Sequence, residues 1–230
     1  MTNSMDDMFF HALTDGFTPI VDAQYRRMDY FPLDLSTSNK DLDLDLLTRP
    51  MEHHIFLQHY LKQNDAKVAY GGYLEQRAIY DRSDHFQAIE PKDKRNIHLG
   101  IDLWCDAETQ VLSPLDGEVH SFQINDNFGD YGPTIVLRHR INRQVFHTLY
   151  GHLSMQSIEG KSVGQKFMAG EPFATLGAPE VNGDYAPHLH FQIVIKMQNN
   201  TGDYPGVGSR NTLDFYKRNC PNPNLLLKIT

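Results

Sequence analysis

Residues 132–154, GPTIVLRHRINRQVFHTLYGHLS, place two apolar-rich runs on either side of a turn at Ile141-Asn142. Runs of that length around a turn predict paired antiparallel strands. The same texture extends over residues 97–196, where turn signals recur at Asp116-Gly117, Asn125 to Gly132, Ala169-Gly170 and Asn182-Gly183. The chain is therefore expected to be mostly β, with an antiparallel β-sheet domain over residues 91–198.

On either side of that domain the pattern changes. Residues 1–90 read as an N-terminal extension of mixed α/β or irregular structure. Its first forty positions carry scattered aromatics with little periodicity, and Pro50 then opens a helical spacing of Ile55, Phe56, His59 and Tyr60. A helix is expected near 50–63. The run Val68 to Leu74, with Gly71-Gly72 inside it, predicts a hairpin or a bent strand leading into the β domain. Residues 199–230, rich in Pro and Gly before Ser209, are expected to pack on the domain as an irregular tail.

Composition excludes several classes. The 230 residues carry a net charge of -8 and offer no basic stripe for phosphates, so no nucleic-acid partner is expected. The acidic opening MTNSMDDMFF has no secretory apolar region, and no membrane span is visible, which predicts a cytoplasmic protein without membrane association. Cys105 and Cys220 form no CxxC and read as structural thiols.

Two motifs carry the chemistry: His98-Leu-Gly-Ile-Asp102, and His188-Leu-His190 directly after Ala186-Pro187. Residues i and i+2 of a strand share a face, so His188 and His190 can enter one groove. His98 and Asp102 lie too far apart on a straight strand to share an ion, but Gly100 between them permits a bend or a close approach. Two imidazoles and one carboxylate suit zinc and leave a fourth position for water, whose pKa then falls towards neutrality. With no HExxH present, the proton acceptor falls to His152 or to whichever of His188 and His190 is not a ligand, and spacing does not choose between them. His11, His53, His54, His59, His85, His120 and His139 read as surface or satisfied core histidines. His147 falls on the opposite strand face from His152 and reads as structural. Tyr131 and Tyr150 read as packing aromatics.

HLGID, TLYGHLS followed by VGQKFMAGE, and APHLHFQ resemble, in order and interval over roughly residues 95–196, the motifs of the lysostaphin-type zinc metalloendopeptidases, which cleave peptide cross-links in bacterial cell walls. The resemblance implies a small antiparallel β domain with a narrow groove, Zn2+ held by His98, Asp102 and His190, and His152 with His188 as the catalytic pair. GDYGPTIVLRH, GAPEVNGDYAPHLHFQ, DYPGVG and CPNPNLLL are similar to peptidase-like domains found within larger intracellular proteins. The tyrosine that some wall enzymes carry before the first histidine is missing, with Lys92 to Ile97 standing there instead.

The function expected is a zinc metallopeptidase that hydrolyses peptide bonds in peptidoglycan-type or related peptides by attack of zinc-activated water. The alternatives are a zinc amidohydrolase or dipeptidase acting on a cytoplasmic peptide or a peptidoglycan fragment, and a non-catalytic peptide- or partner-binding domain. Residues 1–90 are expected either to cover the groove or to serve as a structural extension.

Overall fold

The computed structural model describes residues 5–230. Along the chain run α1 (Met5–His11), β1 (Tyr30–Pro32), α2 (Leu44–Leu47), α3 (Pro50–Gln63), β2 (Val68–Gly71), β3 (Ile97–His98), β4 (Ile101–Trp104), β5 (Gln110–Leu112) and β6 (Gly117–Asn125). There follow β7 (Gly132–Ile141), β8 (Gln144–Gly151), β9 (Lys166–Phe167), β10 (Pro172–Thr175), β11 (His188–Val194), β12 (Val207–Gly208), α4 (Leu213–Asn219) and α5 (Asn224–Leu227). The fold is mostly strand, dominated by one antiparallel sheet. Eight strands lie in the order β1-β2-β4-β11-β8-β7-β6-β9, and only the β1–β2 edge pair is parallel.

Strand periodicity explains why this sheet forms. In β11, Leu189, Phe191 and Ile193 enter the main core, while His188, His190 and Gln192 take the opposite face. Phe146 and Tyr150 of β8, with Ile135 and Leu137 of β7, join that same core. Val136 and Leu149 alternate to the other side, where they meet Val194, Met197, Tyr204 and Cys220. Both faces are therefore buried. The main core is closed by Phe10, Ile20 and Val21 from one end of the chain and by Leu226 and Leu227 from the other.

The expected helix forms as α3, with Pro50 in its first turn, where a missing N–H costs nothing. Val68 to Gly71 does not make a hairpin. It lies as a strand between β1 and β4, so the N-terminal region lengthens the sheet itself. The tail departs from the irregular structure expected of it. Its Pro and Gly residues are confined to 202–208 and 221–223, and the intervening stretch is free to wind into α4. Pro223 then starts α5, whose Leu226 and Leu227 supply the apolar anchors.

A further apolar cluster joins the N-terminal region to the sheet: Leu33, Leu35, Leu47, Leu57 and Leu61 pack with Trp104, Tyr185, Ala186 and Val207. No helix of the described residues is long and apolar enough to cross a membrane.

Because α3 shares this cluster with β4, the two should unfold together. Leu57→Ala is expected to cost about 2–5 kcal/mol through transfer and cavity terms. Fluorescence of the single tryptophan, Trp104, followed against urea alongside far-UV circular dichroism, should report one coincident transition shifted to lower denaturant. A separate early transition for the helices would show that the N-terminal region unfolds independently of the β domain.

Candidate metal centre

The register between β4 and β11 sets His190 opposite Asp102 and His188 opposite Trp104, and β8 sets Gly151 opposite His190. His98 ends β3, and the break before β4 swings its ring back over Asp102. Gly100 lies at that break because nothing larger fits: a Cβ there would stand 2.7 Å from the His190 ring.

The imidazole tautomers follow from fixed acceptors. His98 Nδ1 faces the Gly72 carbonyl at 2.9 Å and must donate to it, which leaves the Nε2 lone pair free. His190 Nε2 lies 2.9 Å from Gln192 Oε1. The amide nitrogen of Gln192 donates to the Pro205 carbonyl and the Cys220 sulfur, so its oxygen is the atom turned to the ring. His190 accordingly donates from Nε2 and keeps its Nδ1 lone pair.

Three electron pairs now converge. His98 Nε2 and His190 Nδ1 are 2.8 Å apart, and each is 3.2 Å from Asp102 Oδ1, a buried oxygen that accepts no hydrogen bond. Burial pushes His98 down to about 3, with the Arg77 charge adding to the effect, so its ring remains neutral. For Asp102 burial opposes the charged form, but the Arg77 guanidinium beside it acts the other way, and the carboxyl is held well below its ordinary range. Lone pairs facing one another without a proton repel unless a cation lies among them. The spacing approaches the roughly 3.3 Å edge of a tetrahedron with ~2.0 Å zinc–nitrogen and zinc–oxygen bonds, and the donor set suits zinc. His98, Asp102 and His190 are thus a group that could hold a metal ion.

His188 and His152 flank this group. His188 Nε2 is 4.0 Å from Asp102 Oδ1, and the His152 and His188 rings lie 4.1 Å apart between centroids. Each is anchored through Nδ1, His152 on the Asn182 carbonyl at 2.7 Å and His188 on the Ala186 carbonyl at 2.8 Å. Both therefore present an unprotonated Nε2. Burial, with the neighbouring His188, lowers the pKa of His152 well below the ordinary imidazole value, and burial likewise lowers that of His188. His152 sits at φ +62, a conformation that non-glycine residues rarely hold. Its amide donates to the Tyr131 carbonyl and its own carbonyl accepts from Gly177, which pins the strained turn. His147 packs against His120 and takes no part. Cys105 and Cys220 are buried free thiols, each pushed up to about 12 by burial.

Several residues about the site escaped the sequence reading. Arg77 Nη1 donates to Asp102 Oδ2 at 2.5 Å and its Nε to Glu75 Oε2 at 2.5 Å, while Glu75 Oε1 accepts the Leu35 amide. Its guanidinium also lies 5.5 Å from the Trp104 ring. No motif announces an arginine so far before Asp102. Gln192 was legible, since i+2 from His190 puts it on the same strand face. His53 and His85, assigned to surface or core, both line the cavity over the site. His53 is buried with an unpartnered Nε2, and burial pushes it down to about 3. Tyr131 is a packing aromatic against His152 and His190, yet its hydroxyl is also 3.4 Å from His190 Nε2.

Among known protein families, the model of Peptidase family M23 matches residues 96–202. No curated protein matches the chain. Among solved structures, lysostaphin from Staphylococcus simulans is 24% identical over 53% of this chain and 44% of its own, at TM-score 0.33. A catalytic-domain mutant of the prophage-encoded M23 protein EnpA from Enterococcus faecalis is 20% identical over 56% of this chain and 92% of its own, at TM-score 0.38. A zinc-containing peptidase from Vibrio cholerae is 24% identical over 52% of this chain and 38% of its own, at TM-score 0.37. The chain thus spans less than half the length of the lysostaphin and Vibrio cholerae proteins.

Arg77 holds one Asp102 oxygen and so turns the other towards the two histidines. Arg77→Met should free that carboxylate to rotate and weaken zinc binding by about 10- to 100-fold, the usual effect of losing an outer hydrogen bond to a ligand. Competition with a chromogenic chelator would measure the change, and Arg77→Lys should recover part of it. Unchanged affinity in Arg77→Met would show that Asp102 is oriented without Arg77.

Proposed function

We propose, from the match to Peptidase family M23 over residues 96–202, that the protein is a zinc-dependent metallopeptidase hydrolysing peptide bonds in peptidoglycan-type or related peptides. The observation that carries this reading is the convergence of three proton-free electron pairs, from His98, Asp102 and His190, beside two further imidazoles anchored with Nε2 free. In this reading His98, Asp102 and His190 hold the zinc. A zinc ion there supplies Lewis acidity and lowers the pKa of water.

The remaining chemistry belongs to His152 and His188. Each can accept a proton at Nε2 and, once charged, return it or stabilise a developing oxyanion. Between them they can take the proton from the attacking water and deliver one to the departing amine. Their Nδ1–H bonds to backbone carbonyls keep both rings turned towards the reacting carbonyl through the cycle. The absence of a motif-placed glutamate is thereby made good by paired imidazoles.

Elemental analysis should find one zinc per chain, with most of it lost in Asp102→Ala and His190→Ala. His152→Ala and His188→Ala should keep the metal and lose roughly 10²-fold or more in peptide turnover. Full zinc retention in both ligand variants would sink the metal assignment. Near-normal turnover in both histidine variants would sink the catalytic one.

A further inference from the structure

Residues 77–96 leave the chain beneath the site and return to it, with the Arg77 amide donating to the Asn96 carbonyl at 2.9 Å. The loop is fastened to both sides of the centre. On one side Ser83 Oγ donates to the Phe128 carbonyl at 2.9 Å, and the Arg82 guanidinium lies 4.1 Å from the Tyr185 ring while donating to the Asp184 carbonyl at 2.6 Å. On the other, Arg95 Nε donates to the Val207 carbonyl at 2.9 Å, the Asn96 amide to the Gly208 carbonyl, and Asn211 to Asp93 Oδ1. Two short turns, Ile79–Arg82 and Asp84–Phe86, bring Ile79, Tyr80 and Phe86 into the wall over the histidines.

A loop fastened in this way on two sides, with Ile79, Tyr80 and Phe86 in the cavity wall, narrows the space over the centre. The space over the centre is a cavity of about 180 Å³, a little larger than the ~150 Å³ that holds one benzene molecule. Its wall pairs apolar surface from Leu35, Tyr80 and Phe86 with acid groups at Asp130 and Asp203.

We propose that the site takes short, free peptides, one side chain of which fills this cavity beside the bond to be cut, and excludes cross-linked wall polymer. This rests on the peptidase reading above and narrows its substrate class. The reaction is hydrolysis of an amide: the C–N bond breaks, the acyl carbon gains water's hydroxyl, and the amine gains its proton. The apolar wall would receive one side chain, and the fixed loop would limit how much chain extends beyond it.

The test uses the full chain loaded with zinc against two substrates, a panel of free di- to tetrapeptides and intact purified peptidoglycan sacculi, with released amines followed by mass spectrometry. Free peptides should be cut at least 100-fold faster per bond than sacculi. Arg82→Ala, which unties the loop from Tyr185 and Asp184 without touching the histidines, should narrow that ratio by about tenfold or more. Equal rates for peptides and sacculi in the unaltered chain would overturn the size limit and leave the peptidase reading standing. Hydrolysis of neither substrate by zinc-loaded protein would overturn the peptidase reading, and the size limit with it.

Discussion

The carboxylate of Asp102 is the constraint on which this centre depends. It is buried, it carries charge, and its two oxygens are divided between opposite tasks: Oδ2 takes the Arg77 guanidinium, and Oδ1 is left bare between two imidazoles. An ionised carboxylate is costly to bury unless each oxygen finds a positive partner. Arg77 answers half of that requirement. The other half is unmet by any hydrogen bond of the fold, and that bare oxygen is the observation behind the proposed metal site.

The surrounding groups prevent a proton from satisfying it instead. Were His98 to rotate its tautomer, the Gly72 carbonyl would lose its donor; were His190 to do so, Gln192 would. Gln192 is itself committed, through its amide nitrogen, to the Pro205 carbonyl and Cys220. Metal-binding histidines commonly gain their orientation from such a second bond. Here the bonds come from three places: the loop after β2, the next inward position on β11, and the segment beyond it. The site is thus assembled from contacts spread over the sequence, while its charges are confined to a few ångströms.

That distribution decides what the sequence could disclose. Strand alternation made His188 and His190 legible as neighbours, and a glycine between His98 and Asp102 made their approach legible, because both signals are local. The turns bounding β7 and β8 were legible for the same reason. Arg77, Glu75 and His53 were not, since each reaches the site only through the folding of a region with no strand periodicity of its own. The tail misled because four of its first ten residues are Pro or Gly, whereas the stretch between Ser209 and Pro221 contains none and forms a helix. Of the hairpin or bent strand expected around Gly71-Gly72, the strand formed and the hairpin did not, because β2 pairs with strands distant in sequence, which a local pattern does not specify.

The N-terminal region therefore serves the centre in two ways that are mechanically joined. Arg77 bonds Asp102, and the loop that starts at Arg77 then arches along the cavity wall, contributing Tyr80 and Phe86 to it, before closing on Asn96. Any movement that opened the arch widely would pull on a residue bonded to the carboxylate at the base. A loop hinged elsewhere could swing without touching the ion site; this one shares an anchor with it. The proposed limit on substrate size and the proposed retention of metal then draw on the same buried arginine. It follows that the arch should behave as a fixed wall during turnover, with short peptides entering beside it and not beneath a moving cover.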